Sequence, residues 1–500
     1  MKCDFIAKGV PFLIKWDRNP IVSWILLYEL GGWLLRAALA IRVLGRRRTP
    51  ASAMAWLILI FLHPVIGLIF YMLLGSTRLE QHTQRKHGDI LEKLRASRAA
   101  RRFQVVRTGA DPSADEEAGP VVLQIQKISG MPLTEGNAVK FIAASNAVID
   151  ALVADINAAQ CHVHVMVYIF APDDTGRKVA EALINAAKRG VSCRLLVDAI
   201  GSHHFLRSRK LIHELREAGV EFSAALPIAP LSRKLARIDL RNHRKLVIID
   251  NTIAYTGSQN IINEDYGGRR GNPWFDLMGR FTGPVVADLQ IVFLEDWAAE
   301  TGLHVDSPDV FTISEPSGDI CAQVIDTSPS QWNDSFRRAL IAAFNAARKR
   351  IITTTPYFVI DEPTMLALSM AADRGVEVNI VLPRVGDHLL AAMAGCANFL
   401  PLLESGVKIH RFRPGLLHAK TTTIDEEFAL IGSANLDLRS FNLDFELSVM
   451  LYGKEITAQL RDFQLAYIAQ SDRIDINDWR KRKAITQYAE RAIALLSPLL

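Results

Sequence analysis

His243-Arg244-Lys245-Leu246-Val247-Ile248-Ile249-Asp250, followed by Gly257-Ser258-Gln259-Asn260, is one of two versions of the same phrase in this chain. The other reads His418-Ala419-Lys420-Thr421-Thr422-Thr423-Ile424-Asp425, followed by Gly432-Ser433-Ala434-Asn435. Each matched residue of the second lies 175 positions after its counterpart, as His418 follows His243. A single H-x-K-x4-D match in 500 residues carries little weight, whereas two, each trailed by G-S-x-N at equal distance, mark a duplication.

The repeated residue types suit a phosphodiester. Lysine brings a point charge to a phosphate oxygen and asparagine an amide donor. Imidazole can serve as nucleophile or as general acid near neutral pH. His and Lys stand two apart in each copy, so on a strand they share a face. The residues between Lys and Asp are apolar or β-branched, which predicts a buried strand. Asp250 and Asp425 close these strands as supporting ion-pair partners more than as reacting groups.

Around the motifs the chain alternates helix and strand. Ala147–Ala159 and Arg177–Arg189 read as helices, and His162–Phe170 and Val191–Val197 as strands. The second half repeats the pattern, with Tyr357-Phe358-Val359 matching Tyr168-Ile169-Phe170 and Ala372-Asp373-Arg374-Gly375-Val376 matching Ala187-Lys188-Arg189-Gly190-Val191. The repeat is therefore a whole domain of α/β type. Two such halves pack most simply about a pseudo-twofold axis, bringing His243 and His418 into one cleft.

The duplicated H-x-K-x4-D with G-S-x-N resembles the phospholipase D superfamily. Three further stretches are similar to its bacterial cardiolipin synthases: residues 46–75, with the pattern R-R-R-T-P…W-L-I…P-V-I-G-L-I-F-Y-M-L-L-G, the run from Gly432 to Ser440, and the ending Ser497-Pro498-Leu499-Leu500. The resemblance implies transfer of a phosphatidyl group from one phosphatidylglycerol to another, yielding cardiolipin and glycerol through a phosphatidyl-histidine. In that scheme His243, Lys245 and Asp250 with His418, Lys420 and Asp425 form the catalytic set. Asn260, Asn435, Ser258 and Ser433 bind the phosphate, and analogy favours His243 as the nucleophile. The superfamily also orients each histidine with an acid on a later strand. Asp276 and Glu446 follow the two motifs, each seven residues before a glycine (Gly283 and Gly453), and are assigned to His243 and His418 respectively. No metal and no cofactor is expected, because lysines and asparagines provide the electrostatics. The other readings are a phospholipase D releasing phosphatidic acid and a nucleic-acid phosphodiesterase. The latter is disfavoured because no basic stretch is interleaved with aromatics.

Composition adds bounds. A net charge of +5 is mildly basic, compatible with anionic lipid, with nucleic acid or with neither. The five cysteines are scattered, with no C-x-x-C, which argues against a disulfide framework or a zinc site. The segmentation expected is a membrane segment at 1–80 with apolar helices at about 21–41 and 51–75, a charged helix and linker at 81–120, a first half at 121–310 and a second at 311–500. Ala51–Gly75 is long enough to cross a core of about 30 Å, with Trp56 and Tyr71 as interfacial anchors and Pro64 and Gly67 suggesting a kink. Glu29 and Arg36 make 21–41 the weaker candidate for spanning. The flanking Lys and Arg residues place the catalytic part on the cytoplasmic face of a bacterial inner membrane, although Arg46, Arg47 and Arg48 between the two segments oppose that topology. Leu226–Leu231 with Arg233, Lys234, Arg237 and Arg241 reads as an apolar tip with a basic skirt at a membrane surface.

Overall fold

The computed structural model describes residues 20–45, 50–74, 119–227, 240–265, 273–305, 307–312, 314–329 and 334–495. The chain divides into two compact units, Met1–Ser76 and Thr77–Leu500. Of the expected charged helix and linker at 81–120, residues 81–118 lie outside the described residues, as do 228–239 of the basic loop.

The first unit holds helices α1 (Pro20–Leu44), α2 (Pro50–Leu62) and α3 (Pro64–Leu74). The second apolar segment is thus not one long helix, and no helix among the described residues is long and apolar enough to cross a membrane. The cause is local. Pro64 has no N–H and cannot continue α2 past His63. Beyond it the chain reverses. A Cβ built on Gly67 would lie 2.8 Å from the Cα of Ile60, so α3 lies back against α2. Trp56 and Tyr71 meet edge to face, 5.4 Å between centroids, rather than standing at opposite ends of a span.

The second unit is built on one 15-stranded sheet. The first half supplies β1 (Thr134–Ile142), β2 (His162–Val167), β3 (Ser192–Asp198), β4 (Glu221–Ala225), β5 (Leu246–Ile249), β6 (Ile253–Gly257) and β8 (Met278–Thr282), with β7 (Trp274–Phe275) apart from them. The second half supplies β9 (Ile320–Thr327), β10 (Arg350–Thr354), β12 (Glu377–Pro383), β13 (Lys408–Phe412), β15 (Thr421–Ile424), β16 (Phe428–Gly432), β18 (Glu446–Tyr452) and β19 (Ser471–Arg473). The short β11 (Phe358–Val359), β14 (Leu416–Leu417) and β17 (Leu436–Asp437) lie outside the main sheet. From the centre outward the orders are β1-β8-β6-β5-β2-β3-β4 and β9-β18-β16-β15-β10-β12-β13-β19, so the halves match strand for strand up to the added β19.

The halves join where β1 pairs antiparallel with β9. Buried Asn137 stitches this seam: its Nδ2 donates to the carbonyls of Thr134 (2.9 Å) and Ile320 (3.0 Å), and its Oδ1 accepts the Val285 N–H (2.7 Å). The motif strands β5 and β15 are buried throughout, which is why their residues are apolar or β-branched. Both end at an aspartate with left-handed backbone, φ 50° at Asp250 and 52° at Asp425, a conformation Asp tolerates better than most residues. Equivalent helices flank each half, among them Val285–Thr301 and Lys454–Ala469.

Candidate active site

The residue preceding each motif histidine is tied to the opposite half. Asn242 forms a parallel bridge to Phe445, the His243 N–H donates to the Phe445 carbonyl (2.9 Å), and the Phe445 N–H donates to the Arg241 carbonyl (2.9 Å). Symmetrically, β14 pairs parallel with β7, and the His418 N–H donates to the Phe275 carbonyl (2.8 Å). The acid one residue beyond each phenylalanine therefore lies beside the histidine of the other half.

This corrects the expected pairing. Asp276 belongs to His418, whose Nδ1 is 2.6 Å from its Oδ1. Glu446 belongs to His243, whose Nδ1 is 3.4 Å from Glu446 Oε1 and 3.5 Å from Asp444 Oδ2. Trp274 packs edge-on to His418 and Tyr168 edge-on to His243, at 4.5 and 4.2 Å between centroids. Burial first, then the charge of Lys420, pushes His418 down to about 4. Burial opposes charge on Asp276, yet the His418 contact and Lys420 hold its carboxyl below the ordinary range. The pair is thus a neutral imidazole on a carboxylate. Glu446 is held low in the same way, by the His243 contact and Lys245 against burial.

Lys245 and Lys420 are buried, and each Nζ donates to the carbonyl of the histidine two residues before it, at 2.6 and 2.7 Å. Burial lowers Lys245. Burial and the charge of Lys245 bring Lys420 down to about 7. The two lysines, Asp276 and Glu446 thus act on one another within one charged cluster. An anionic phosphodiester is the ligand that would relieve the repulsion between the lysines.

Two further assignments change. Asp250 accepts the backbone N–H groups of Gln160, Cys161 and His162 at 2.7–2.8 Å, and Asp425 those of Arg348, Lys349 and Arg350 at 2.7–2.8 Å. Each lies five residues beyond its lysine, roughly 16 Å along an extended strand. They clamp the entry to the neighbouring strands β2 and β10 and take no part in the reacting cluster. Ser258 donates to Asp276 (2.6 Å) and Ser433 to Glu446 (2.5 Å), so their hydroxyls serve the acids and not a phosphate. Asn260 and Asn435 are buried near the same loops. Asn260 turns its Oδ1 to the Ile169 N–H at 3.1 Å, which fixes its amide orientation.

Sequence reasoning missed several contributors. Ser440 gives Glu446 a second hydroxyl at 2.9 Å. Asp444 is a second carboxylate beside His243, itself touched by Arg439 at 3.4 Å. Arg244 is buried, bound to Asp296 at 2.7 Å and to the carbonyls of Thr327 and Glu446 at 3.1 and 3.2 Å, anchoring the His243 loop to the second half. Of the proposed membrane loop, Leu226 and Arg241 are buried, Arg241 reaching Asp198 at 3.5 Å, so neither belongs to an exposed tip or skirt. His243, Asp444 and Glu446 also form a group whose ligand atoms lie within 4.8 Å of one another, a set able to hold a cation that the sequence did not disclose. Among the described cysteines, Cys161, Cys193, Cys321 and Cys396 are free.

Comparison with known proteins agrees with this geometry. A family described as "Cardiolipin synthase, PLD-like domain" matches residues 152–272 and 340–465, and one described as "Phospholipase_D-nuclease N-terminal" matches 34–76. Cardiolipin synthase A of Yersinia pseudotuberculosis is 36% identical over 487 residues, covering 96% of this chain and 99% of that protein. Cardiolipin synthase A of Escherichia coli O1:K1 / APEC is 36% identical over 489 residues, with the same coverage. Among solved structures, phosphatidylserine synthase of Haemophilus influenzae shares the fold, with a TM-score of 0.59 at 14% identity over 76% of this chain and 100% of that one. With two halves that each match the PLD-like model and a likeness running nearly end to end, the chain belongs to the cardiolipin synthase family of the phospholipase D superfamily.

Proposed function

We propose that this membrane-associated phosphatidyltransferase joins two phosphatidylglycerols into cardiolipin, releasing glycerol. The observation that carries the reading is the crossed pair of histidine–carboxylate contacts beside two buried lysines, in a chain of this family. His418 is the nucleophile in this proposal and His243 the proton carrier, the reverse of the assignment that analogy favours. Its support is geometric: His418 is held by one tightly bonded carboxylate that fixes its ring, whereas His243 faces two carboxylates at longer range.

The steps balance as follows. His418 Nε2 attacks phosphorus, and the bond from phosphorus to the glycerol oxygen breaks. His243 gives its proton to that oxygen, and glycerol leaves. The neutral His243 then takes the proton of a hydroxyl on the second phosphatidylglycerol. That oxygen attacks phosphorus, the N–P bond breaks, and its electron pair returns to Nε2. Lys245, Lys420, Asn260 and Asn435 stabilise the phosphoryl oxygens throughout. Neither metal nor cofactor enters the scheme, and nucleic acid is no substrate in it. The catalytic unit faces the cytoplasm of a bacterial inner membrane, on the strength of the basic residues that follow the apolar segments.

The test uses purified full-length protein with phosphatidylglycerol as sole lipid, with and without chelator, and product analysis by mass spectrometry. Cardiolipin and glycerol in equal amounts, unchanged by chelator, are expected. Phosphatidic acid without cardiolipin would make the chain a hydrolase. Loss of activity with chelator would assign the His243–Asp444–Glu446 group to a metal.

A further inference from the structure

We propose that α2 and α3 form a re-entrant hairpin, which enters one leaflet of the bilayer among the acyl chains and returns to the surface it left. The inference is independent of the reaction chemistry. Length comes first. At about 1.5 Å per residue the arms measure about 20 and 16 Å, against a hydrocarbon core of about 30 Å. They lie back to back through Gly67 and Ile60, with Trp56 and Tyr71 facing each other across the pair.

The outer surface is one that only lipid suits. No Asp, Glu, Lys or Arg occurs between Arg48 and Arg78. Large apolar side chains point outward, with Leu62 at 78%, Ile58 at 55% and Val65 at 47% exposure, and a soluble unit rarely leaves so continuous a patch uncovered.

The turn itself is built for a dry environment, where free backbone groups are costly. Pro64 interrupts the helical ladder, and side chains restore part of it. His63 Nδ1 accepts the Ile66 N–H at 3.3 Å, and the Arg36 Nε–H donates to the Phe61 carbonyl at 3.3 Å. The Arg36 guanidinium also lies 5.0 Å over the Trp33 ring, and such partners are what a charge at membrane depth requires.

Charge at the mouth completes the argument. If α2 and α3 were one spanning helix, Arg46, Arg47 and Arg48 would stand across the membrane from Arg78 and the basic residues after it. That arrangement conflicts with the rule that such residues collect on one side. Re-entry removes the conflict, because both ends of the hairpin emerge at the same surface.

The experiment uses full-length protein in bacterial membrane vesicles of both orientations. Variants Arg47→Cys and Ser76→Cys are treated with an impermeant maleimide, and labelled sites are read by peptide mass spectrometry. The exposed Cys161 reports the side of the catalytic unit. Both introduced sites should label in the same vesicles as Cys161. Labelling of Arg47→Cys only in the opposite vesicles would show a crossing and overturn the proposal. A second arm uses phosphatidylglycerol with a photoactivatable group at the acyl terminus. Adducts at Leu62 and Val65 are expected; their absence, with or without crosslinks between two copies of the chain, would overturn lipid as the occupant.

Discussion

The two motif histidines come from one duplicated phrase, yet they sit in different company. His418 is the more enclosed, its side chain 10% exposed against 20% for His243. One carboxylate holds it at 2.6 Å, with an indole ring alongside. His243 has two carboxylates at longer range and the Tyr168 ring beside it. The position two before the acid is Trp274 in one half and Asp444 in the other. The residue after the histidine is Ala419 in one copy and the buried, fully engaged Arg244 in the other. Duplication preserved the reacting atoms, and divergence of the neighbours gave each imidazole a different charge environment.

The largest test of that difference removes each ring. His243→Ala and His418→Ala should both lose activity by about 10^4-fold or more, as expected for groups that act as a unit. They should differ in what accumulates. With a phosphatidyl donor bearing a good leaving group, His243→Ala should trap phosphorus on His418, because the attacking ring is intact and only proton delivery is lost. Phosphohistidine at 243 in the His418→Ala variant would reverse the assignment.

The acids come next. Asp276→Asn should cost about 10^3- to 10^4-fold in kcat, because an amide no longer selects the tautomer that leaves Nε2 free to attack. Glu446→Gln should cost less, about 10^2-fold, since Asp444 still faces the ring. Equal losses would mean that Asp444 contributes nothing. Urea melts of both variants separate these effects from failure to fold.

The histidines, lysines and two acids that the structure brings together were each legible in the sequence, because duplication makes coincidence improbable. The pairing of acids with histidines was not, since proximity along the chain suggests partners within one half. The crossing comes from the short contacts of Asn242 with Phe445 and of β14 with β7, which no periodicity reveals. Asp250 and Asp425 recur as faithfully as the lysines, but their task is to hold three backbone amides each, and repetition alone cannot tell catalysis from a strand clamp. Ser258 and Ser433 share the asparagine loops and so read as phosphate ligands until their acceptors are seen. Asp444 did leave a trace: aligning the halves at Asp276 and Glu446 sets it against Trp274. In the first unit, an apolar run of 25 residues reads as a span, and the close approach of Gly67 to Ile60 and of Trp56 to Tyr71 discloses the reversal.

Asp444 offers a finer test. Asp444→Asn removes one of the two carboxylates beside His243 and should lower kcat about tenfold, less than Glu446→Gln. The acid limb of the pH profile reports the other ring. Burial holds His418 down at about 4, so in the proposed scheme its ring stays neutral as pH falls through 6 and 5, and activity should drop only as pH approaches 4. That limb should not move in Asp444→Asn. A shift of the acid limb instead would place the second carboxylate in control of the nucleophile.

The smallest effects lie one step further back, in the hydroxyls that hold the acids. Asp276 accepts from Ser258 alone among the motif serines, whereas Glu446 accepts from both Ser433 and Ser440. A hydrogen bond to a charged group contributes about 1.5–3 kcal/mol, and a second donor on the same carboxylate cushions the loss of the first. Ser258→Ala should lower kcat about tenfold and Ser440→Ala about threefold, with KM nearly unchanged in both. Ser440→Thr should recover most of that loss, since it restores the hydroxyl. If Ser440→Ala proves the more damaging, then Glu446 depends on its helix-borne donor more than on Ser433. The two carboxylates would then be held by unlike means even where their motifs agree.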